Sequence, residues 1–379
     1  MKIVIAPDSF KGSVSAAQAA EAMAAGVRDV CGPVVEIVLK PMADGGEGTL
    51  DAISSAWGVV PEIMTTTDAI GRPTTARFGM SRDGRRAIIE AAEANGLPAV
   101  SDVPLQPLRA DTFGVGLIAR ALLNRGVSEI LLCVGGSATT DGGTGLLTAL
   151  GVRFLNSAGT DVSDGGAGLN DIVSVDTSSL HLRAREAHWS VAVDVENPLC
   201  GEHGAAATFG PQKGATDHDV AVLDAGLANL ARVLQAATGK GDLTGPGTGA
   251  AGGIPVGMIA LLGARVDSGS ILVAEAIDLA TGMDGATLVL TGEGSFDSQS
   301  LAGKVVSAVV AASPAGCPIV VIAGRVGLTP QETRAAGITA AFSIASGASD
   351  LATLMTDADV RVRETAAHVS ALMNSGRLD

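Results

Sequence analysis

Gly135-Gly136-Ser137-Ala138-Thr139-Thr140-Asp141-Gly142-Gly143 follows an apolar, β-branched run at 130–134 and precedes a helical pattern at 145–150. Strand, glycine-rich turn and helix start in that order is the unit from which a parallel α/β sheet is built. Four glycines in nine residues let backbone N–H groups come close to a ligand, and Ser137, Thr139 and Thr140 add hydroxyls. Such a turn at a helix N-terminus holds phosphate without a dedicated cation. Asp141 either caps the following helix or faces a metal. A tight turn with a side-chain cap would also read this way, so the weight of the motif comes from similar loops elsewhere in the chain.

Working outward, residues 2–6 (KIVIA) form a short buried strand that ends in Asp8-Ser9-Phe10-Lys11-Gly12. The helix at 14–28 follows, with Ser15 and Gln18 at capping-box spacing. A second strand at 34–39 ends in Pro41-Met42-Ala43-Asp44-Gly45-Gly46-Glu47-Gly48, before a helix at 49–57. Both units carry a polar, glycine-bearing loop on the same edge, where an open parallel sheet places its ligand groups. From about residue 62 the texture changes. Residues 59–67 and 74–80 alternate like antiparallel strands across a turn at 68–73, and 87–90 adds another strand. A helix at 112–124 leads back to the central loop. SVAVD at 190–194 is a strand broken by Pro198, and a long amphipathic helix carries Val220, Leu223, Leu227, Leu230 and Leu234. Parallel-sheet texture returns at 286–290, whose end carries TGEGSFDSQS at 291–300, and continues with strands at 318–323 and 338–344.

Two β-α units alone do not bury a sheet. The expectation is therefore an α/β chain with a doubly wound parallel-sheet (Rossmann/flavodoxin-like) domain formed by residues 1–62 and 285–379, and a second α/β domain, residues 63–284, inserted into it. A length of 379 residues suits two domains, and 47% hydrophobic with 2% aromatic residues suits helix-covered parallel sheets. A net charge of −15 argues against nucleic acid and anionic membrane surfaces as partners. Cys31, Cys133, Cys200 and Cys317 lie far apart, as reduced thiols of a cytoplasmic protein do. With a strand directly after Met1 no signal peptide is expected, and no apolar run reaches the ~18 residues of a membrane span. The phosphate loop G-x-x-x-x-G-K-[ST], the protein-kinase motifs and H-E-x-x-H are missing, and Gly292-x-Gly294 is not a full dinucleotide fingerprint.

DSFKG at 8–12, KPMADGGEGT at 40–49 and GGSATTDGG at 135–143 occur in order, followed by DVENPL at 194–199 and FGPQKGA at 209–215. GAAGG at 249–253 and TGEGSFDSQ at 291–299 complete the set. Together these stretches resemble the type-1 glycerate kinase family over almost the whole chain. The one departure is Thr140, where the family often has Asn; Thr keeps a donor there. The resemblance implies ATP-dependent phosphorylation of D-glycerate to 2-phosphoglycerate by two α/β domains, with the site in the cleft between them.

The residues agree with this chemistry, since phosphoryl transfer needs charge neutralisation and alignment more than covalent help. The loops supply Lys11 and Lys213 as cations and Asp8, Asp44, Glu47, Asp141, Asp194, Glu293 and Asp297 as acids. Glu47, Asp141 and Glu293 serve equally well as helix-start carboxylates. The expected catalytic residues are Lys11, on the glycerate carboxylate or the transferring phosphoryl, and Asp194, on the hydroxyl proton or Mg²⁺. Asp44, Asp194 and Asp297 are candidate Mg²⁺ ligands. Substrate and phosphate contacts are expected from Asp8, Ser9, Gly45 and Gly46, and from Gly135, Gly136, Ser137, Thr139, Thr140, Gly142 and Gly143. Asn197, Lys213, Gly252, Gly253, Gly292, Gly294 and Ser295 complete that set. The expected small-molecule partners are D-glycerate and ATP, and a homo-oligomer is allowed. A kinase for another small hydroxy acid is the alternative within enzymes. A ligand-binding sensor or NAD-dependent oxidoreductase is the alternative outside that class.

Overall fold

The computed structural model describes residues 1–301, 303–347 and 350–375. The chain divides into two compact units: Met1–Asp44, Asp51–Gly58 and Ser268–Asp379 form the first, and Gly45–Leu50 with Val59–Asp267 form the second.

In chain order the strands are β1 (Lys2–Ile5), β2 (Glu36–Leu39), β3 (Glu62–Thr67), β4 (Pro73–Met80), β5 (Arg86–Glu90), β6 (Glu129–Cys133) and β7 (Arg153–Leu155). They continue with β8 (Ser174–Asp176), β9 (His188–Val193), β10 (Arg265–Ser268), β11 (Leu288–Phe296), β12 (Ile319–Val326) and β13 (Ala340–Ser343). The first unit holds a five-stranded sheet in the order β13-β12-β11-β1-β2, parallel at every pairing. Ile3, Val4 and Ile5 are fully buried, as are Leu288, Val289 and Leu290, which is how strands covered on both faces read. One face takes helix Ala16–Cys31, started by the Ser15–Gln18 capping box, and helix Ala358–Ser375. These two helices press together at Gly26, where a Cβ would strike the Arg363 carbonyl oxygen. The other face is covered by a cluster of Phe296, Val306, Val321, Ala323 and Ile338, with helix Val305–Ala312. This sheet is doubly wound. From β1 the chain steps outward to β2, whereas β11, β12 and β13 step outward in the other direction, so the winding reverses between β1 and β11.

Two readings of the sequence change here. The strand expected at 286–290 runs on through Phe296, paired with β12 as far as Phe296↔Val326. Thr291, Gly292, Gly294 and Ser295 therefore lie within a strand and not in a loop. Gly292 and Gly324 allow close backbone approach instead of turning the chain, since a Cβ at either would strike the neighbouring strand's carbonyl (Ile322 O and Gly294 O). The second change concerns residues 268–284. Their helices Gly269–Ala276 and Leu279–Met283 pack in the first unit, where Trp57 Nε1 donates to Ala276 O (2.8 Å) and Lys40 Nζ to Ile277 O (2.5 Å).

The second unit holds a six-stranded sheet in the order β10-β9-β6-β5-β4-β3. Here β3 with β4 and β4 with β5 pair antiparallel, while β5 with β6 and β6 with β9 pair parallel. A separate antiparallel pair, β7 with β8, was not anticipated; three-residue strands leave too little alternation to read. Helix Asp217–Thr238 is 22 residues long and, by length and composition alone, apolar enough to cross a membrane. It starts on a Thr216–Asp219 capping box, and Leu223, Leu227, Leu230 and Leu234 are fully buried, the last three within the main core of this unit.

Candidate functional site

In the first unit the expected groups gather where the winding reverses. Asp8 follows β1 and donates its N–H to Gly292 O of β11 (2.8 Å), which brings it beside Glu293. Asp8 is 9% exposed, and Ser9 N–H donates to its Oδ1 (2.6 Å). Burial, reinforced by the charges of Asp44 and Glu293 and opposed by Lys11, pushes the Asp8 carboxyl up to about 7. Burial raises Glu293 as well, and its Oε1 is enclosed without a hydrogen-bond partner. Lys11 is largely exposed, and its Nζ stands 3.4 Å from Asp44 Oδ2, a carboxylate that is itself mostly covered. Asp297 is occupied differently. It accepts from Gln299 N–H (3.0 Å) and the Ser295 hydroxyl (3.3 Å), capping the turn Ser298–Leu301. Phe296 is fully buried. Gly292-x-Gly294 lies inside β11 and does not open a helix.

In the second unit the loop at 134–143 leaves β6 and turns inward. Gly136 is exposed and Gly135 partly so, whereas Thr139, Thr140 and Asp141 are fully buried. Asp141 takes the capping role. It accepts from Thr112 N–H (2.9 Å), the Thr112 hydroxyl (2.7 Å), Gly145 N–H (3.0 Å) and Gly143 N–H (3.2 Å). The N-terminus of helix Thr144–Ala149, expected to hold phosphate, is thus filled by the chain's own carboxylate. Gly142 N–H is likewise spent on Gly252 O (2.9 Å). Gly252 and Gly253, both at positive φ, lie against this loop; a Cβ at Gly252 would strike the Thr139 carbonyl oxygen. Gly142, Gly143, Gly252 and Gly253 therefore pack two loops closely against each other.

Segment Gly45–Leu50 packs here. Gly46 Cα lies 3.3 Å from where a Gly135 Cβ would stand, and Leu50 N–H donates to Glu90 Oε1 (2.6 Å). Lys213 is buried, with Nζ donating to Thr139 O (2.6 Å) and to the Ser137 hydroxyl (3.3 Å). Asn197 is tied to His203 O (2.8 Å) and to the Thr208 hydroxyl (3.3 Å). Asp194, directly after β9, is exposed. Sequence reading passed over Asn95, which joins the loop through Nδ2 to the Thr139 hydroxyl (3.1 Å) and through its carbonyl to Ala138 N–H (2.8 Å). It also passed over Glu90. No local pattern marks either residue, because their partners are 40 or more positions away.

The profile of the glycerate kinase family matches residues 3–374. The chain belongs to the glycerate kinase family. It is 40% identical to the glycerate kinase of Bacillus subtilis (strain 168) over 374 residues, 98% of this chain and 97% of that protein. It is also 40% identical to the glycerate 2-kinase of Escherichia coli K12 over 349 residues, 91% and 90% of the two chains. A crystal structure assigned as glycerate kinase 2 of Salmonella typhimurium LT2 superposes with a TM-score of 0.89 at 39% identity, covering 100% of this chain and 99% of that one. The mixed α/β fold described above is thus that of a glycerate kinase, and the enzyme class is a phosphotransferase with an alcohol acceptor.

Proposed function

We propose that this glycerate kinase family member transfers the γ-phosphoryl group of ATP to the 2-hydroxyl of D-glycerate, releasing ADP and 2-phospho-D-glycerate. The observation that carries the reading is the set Asp8, Lys11, Asp44 and Glu293 at the winding reversal between β1 and β11, where open α/β sheets bind ligands. In the step itself the hydroxyl oxygen forms a bond to phosphorus, the bond to the ADP oxygen breaks, and the hydroxyl proton leaves to a carboxylate. Lys11, cationic and solvent-facing, suits the glycerate carboxylate or the transferring phosphoryl. Asp194 is assigned to the hydroxyl proton or to Mg²⁺. The 2-hydroxyl as acceptor is supported by the relative named glycerate 2-kinase.

Oxygen donors alone make up the candidate metal set, which suits a hard cation held through one or two carboxylates. Asp44 is the favoured ligand of the first unit, because Asp297 already caps a turn. Mg²⁺ bound there would neutralise charge on the phosphates. Ser9 and the exposed Gly135–Gly136 backbone are assigned to substrate oxygens.

A thermal-shift series on the purified protein tests the ligand set. Mg-ATP and D-glycerate should each raise Tm by several degrees at saturation, since ~100-fold excess over Kd adds about 2.7 kcal/mol. NAD should not. A shift with NAD and none with Mg-ATP or glycerate would overturn the proposal.

A further inference from the structure

Lys213 is the cation of the glycine-rich assembly, and its burial carries a cost in charge. It sits at the end of the turn Pro211–Lys213, closed by Gly214 at φ +88°, where a Cβ would lie 2.7 Å from Leu105 Cβ. The residue is 3% exposed. A buried ammonium is expensive unless paired. Its direct partners are the Thr139 carbonyl and the Ser137 hydroxyl, at 2.6 and 3.3 Å. The charge that faces it is Asp141, whose carboxylate is already held by Thr112, Gly143 and Gly145.

This geometry does not suit a ligand-binding lysine, which would present Nζ to solvent. The exposed edge of the loop is Gly135–Gly136, and Ser137 stands directly behind it. A hydroxyl that accepts from an ammonium keeps its own proton to donate, and is polarised to donate more strongly. We infer that Lys213 is a positioning residue: from inside the loop it fixes Ser137 and Thr139, and thereby the edge at 135–137 that receives an anionic group of a substrate, without touching that group. The identity of the anion, a carboxylate or a phosphate, rests on the kinase reading above. Burial pushes the Lys213 ammonium down to about 8, against the pull of Asp141, so the positioning charge is lost in mildly alkaline solution.

The test is hydrogen exchange on the ligand-free full-length protein, Lys213→Met against wild type, followed by kinetics with ATP and D-glycerate. The variant should exchange its amides at 135–143 about tenfold faster without any ligand present. It should also lose ~10²-fold in kcat/KM, the cost of a misplaced binding edge. The wild-type fall in kcat/KM above about pH 8 should be absent from the variant's profile. Unchanged exchange with weakened ATP binding would make Lys213 a phosphate ligand and overturn the inference. Unchanged exchange with unchanged turnover would overturn it too. Should Lys213→Met fail to fold, the wild type supplies the test. Protection at 135–143, corrected for intrinsic rates, should fall between pH 7 and 9 relative to β5 and β6, and a flat profile would contradict the inference. If the wild type does not phosphorylate glycerate, the kinase reading fails while the exchange result still decides the role of Lys213.

Discussion

Lys11→Ala should lower kcat by ~10²–10³ while leaving the melting temperature nearly unchanged. The side chain is 76% exposed and meets Asp44 at 3.4 Å, so the ion pair contributes little to folding. Its position matters more than its contacts. It stands in the turn after β1, beside the point where the winding reverses, as a cation among Asp8, Asp44 and Glu293. Those three carboxylates repel a substrate that is itself anionic, and one lysine offsets that field where charge builds up during transfer. Turnover within twofold of wild type would reduce Lys11 to a solvated partner of Asp44. The same two measurements on Asp194→Asn, with a loss of roughly 10²–10⁴, place that residue as well. High Mg²⁺ should restore part of the activity if Asp194 binds the metal and none if it takes the proton.

Asp8→Asn should raise stability and lower activity. The Asp8 carboxyl is held up near 7 by burial and by Asp44, against an ordinary value near 4. A group whose folded-state value is raised is more easily kept protonated in the native state than in the unfolded chain. Its cost to folding is therefore absent below about pH 4, grows between 4 and 7, and is complete above 7. Three units correspond to at most about 4 kcal/mol. Asparagine removes that cost, so the ligand-free variant should melt several degrees higher than wild type at pH 8 and at nearly the same temperature at pH 4. Its kcat should fall at least ~10²-fold, because the site is where burial of charge is tolerated for function. A variant that melts lower at pH 8, or that turns over normally, would remove Asp8 from the site.

Much of this was legible because local chemistry and tertiary role coincide. Apolar runs at residues 2–5 and 130–133 are strands, Ser15 with Gln18 is a capping box, and Asp141 caps a helix. The sequence misled where glycine serves packing. TGEGSF reads as a loop from its glycines, yet Gly292 and Gly324 are there so that neighbouring strands can approach. Lys213 is a different case. A lone lysine among Gly and Pro reads as a phosphate ligand, and its partner in the ligand-free fold, the Thr139 carbonyl 74 residues away, leaves no mark in the local sequence. Asn95 and Glu90 left no local trace at all.

The most direct test is the product itself. Purified protein incubated with Mg-ATP and isotopically labelled D-glycerate should form ADP and one phosphorylated product, and phosphorus–carbon coupling in the NMR spectrum should place the phosphate on the 2-oxygen. Phosphate on the 3-oxygen, or no ADP formed with D-glycerate present, would contradict the account.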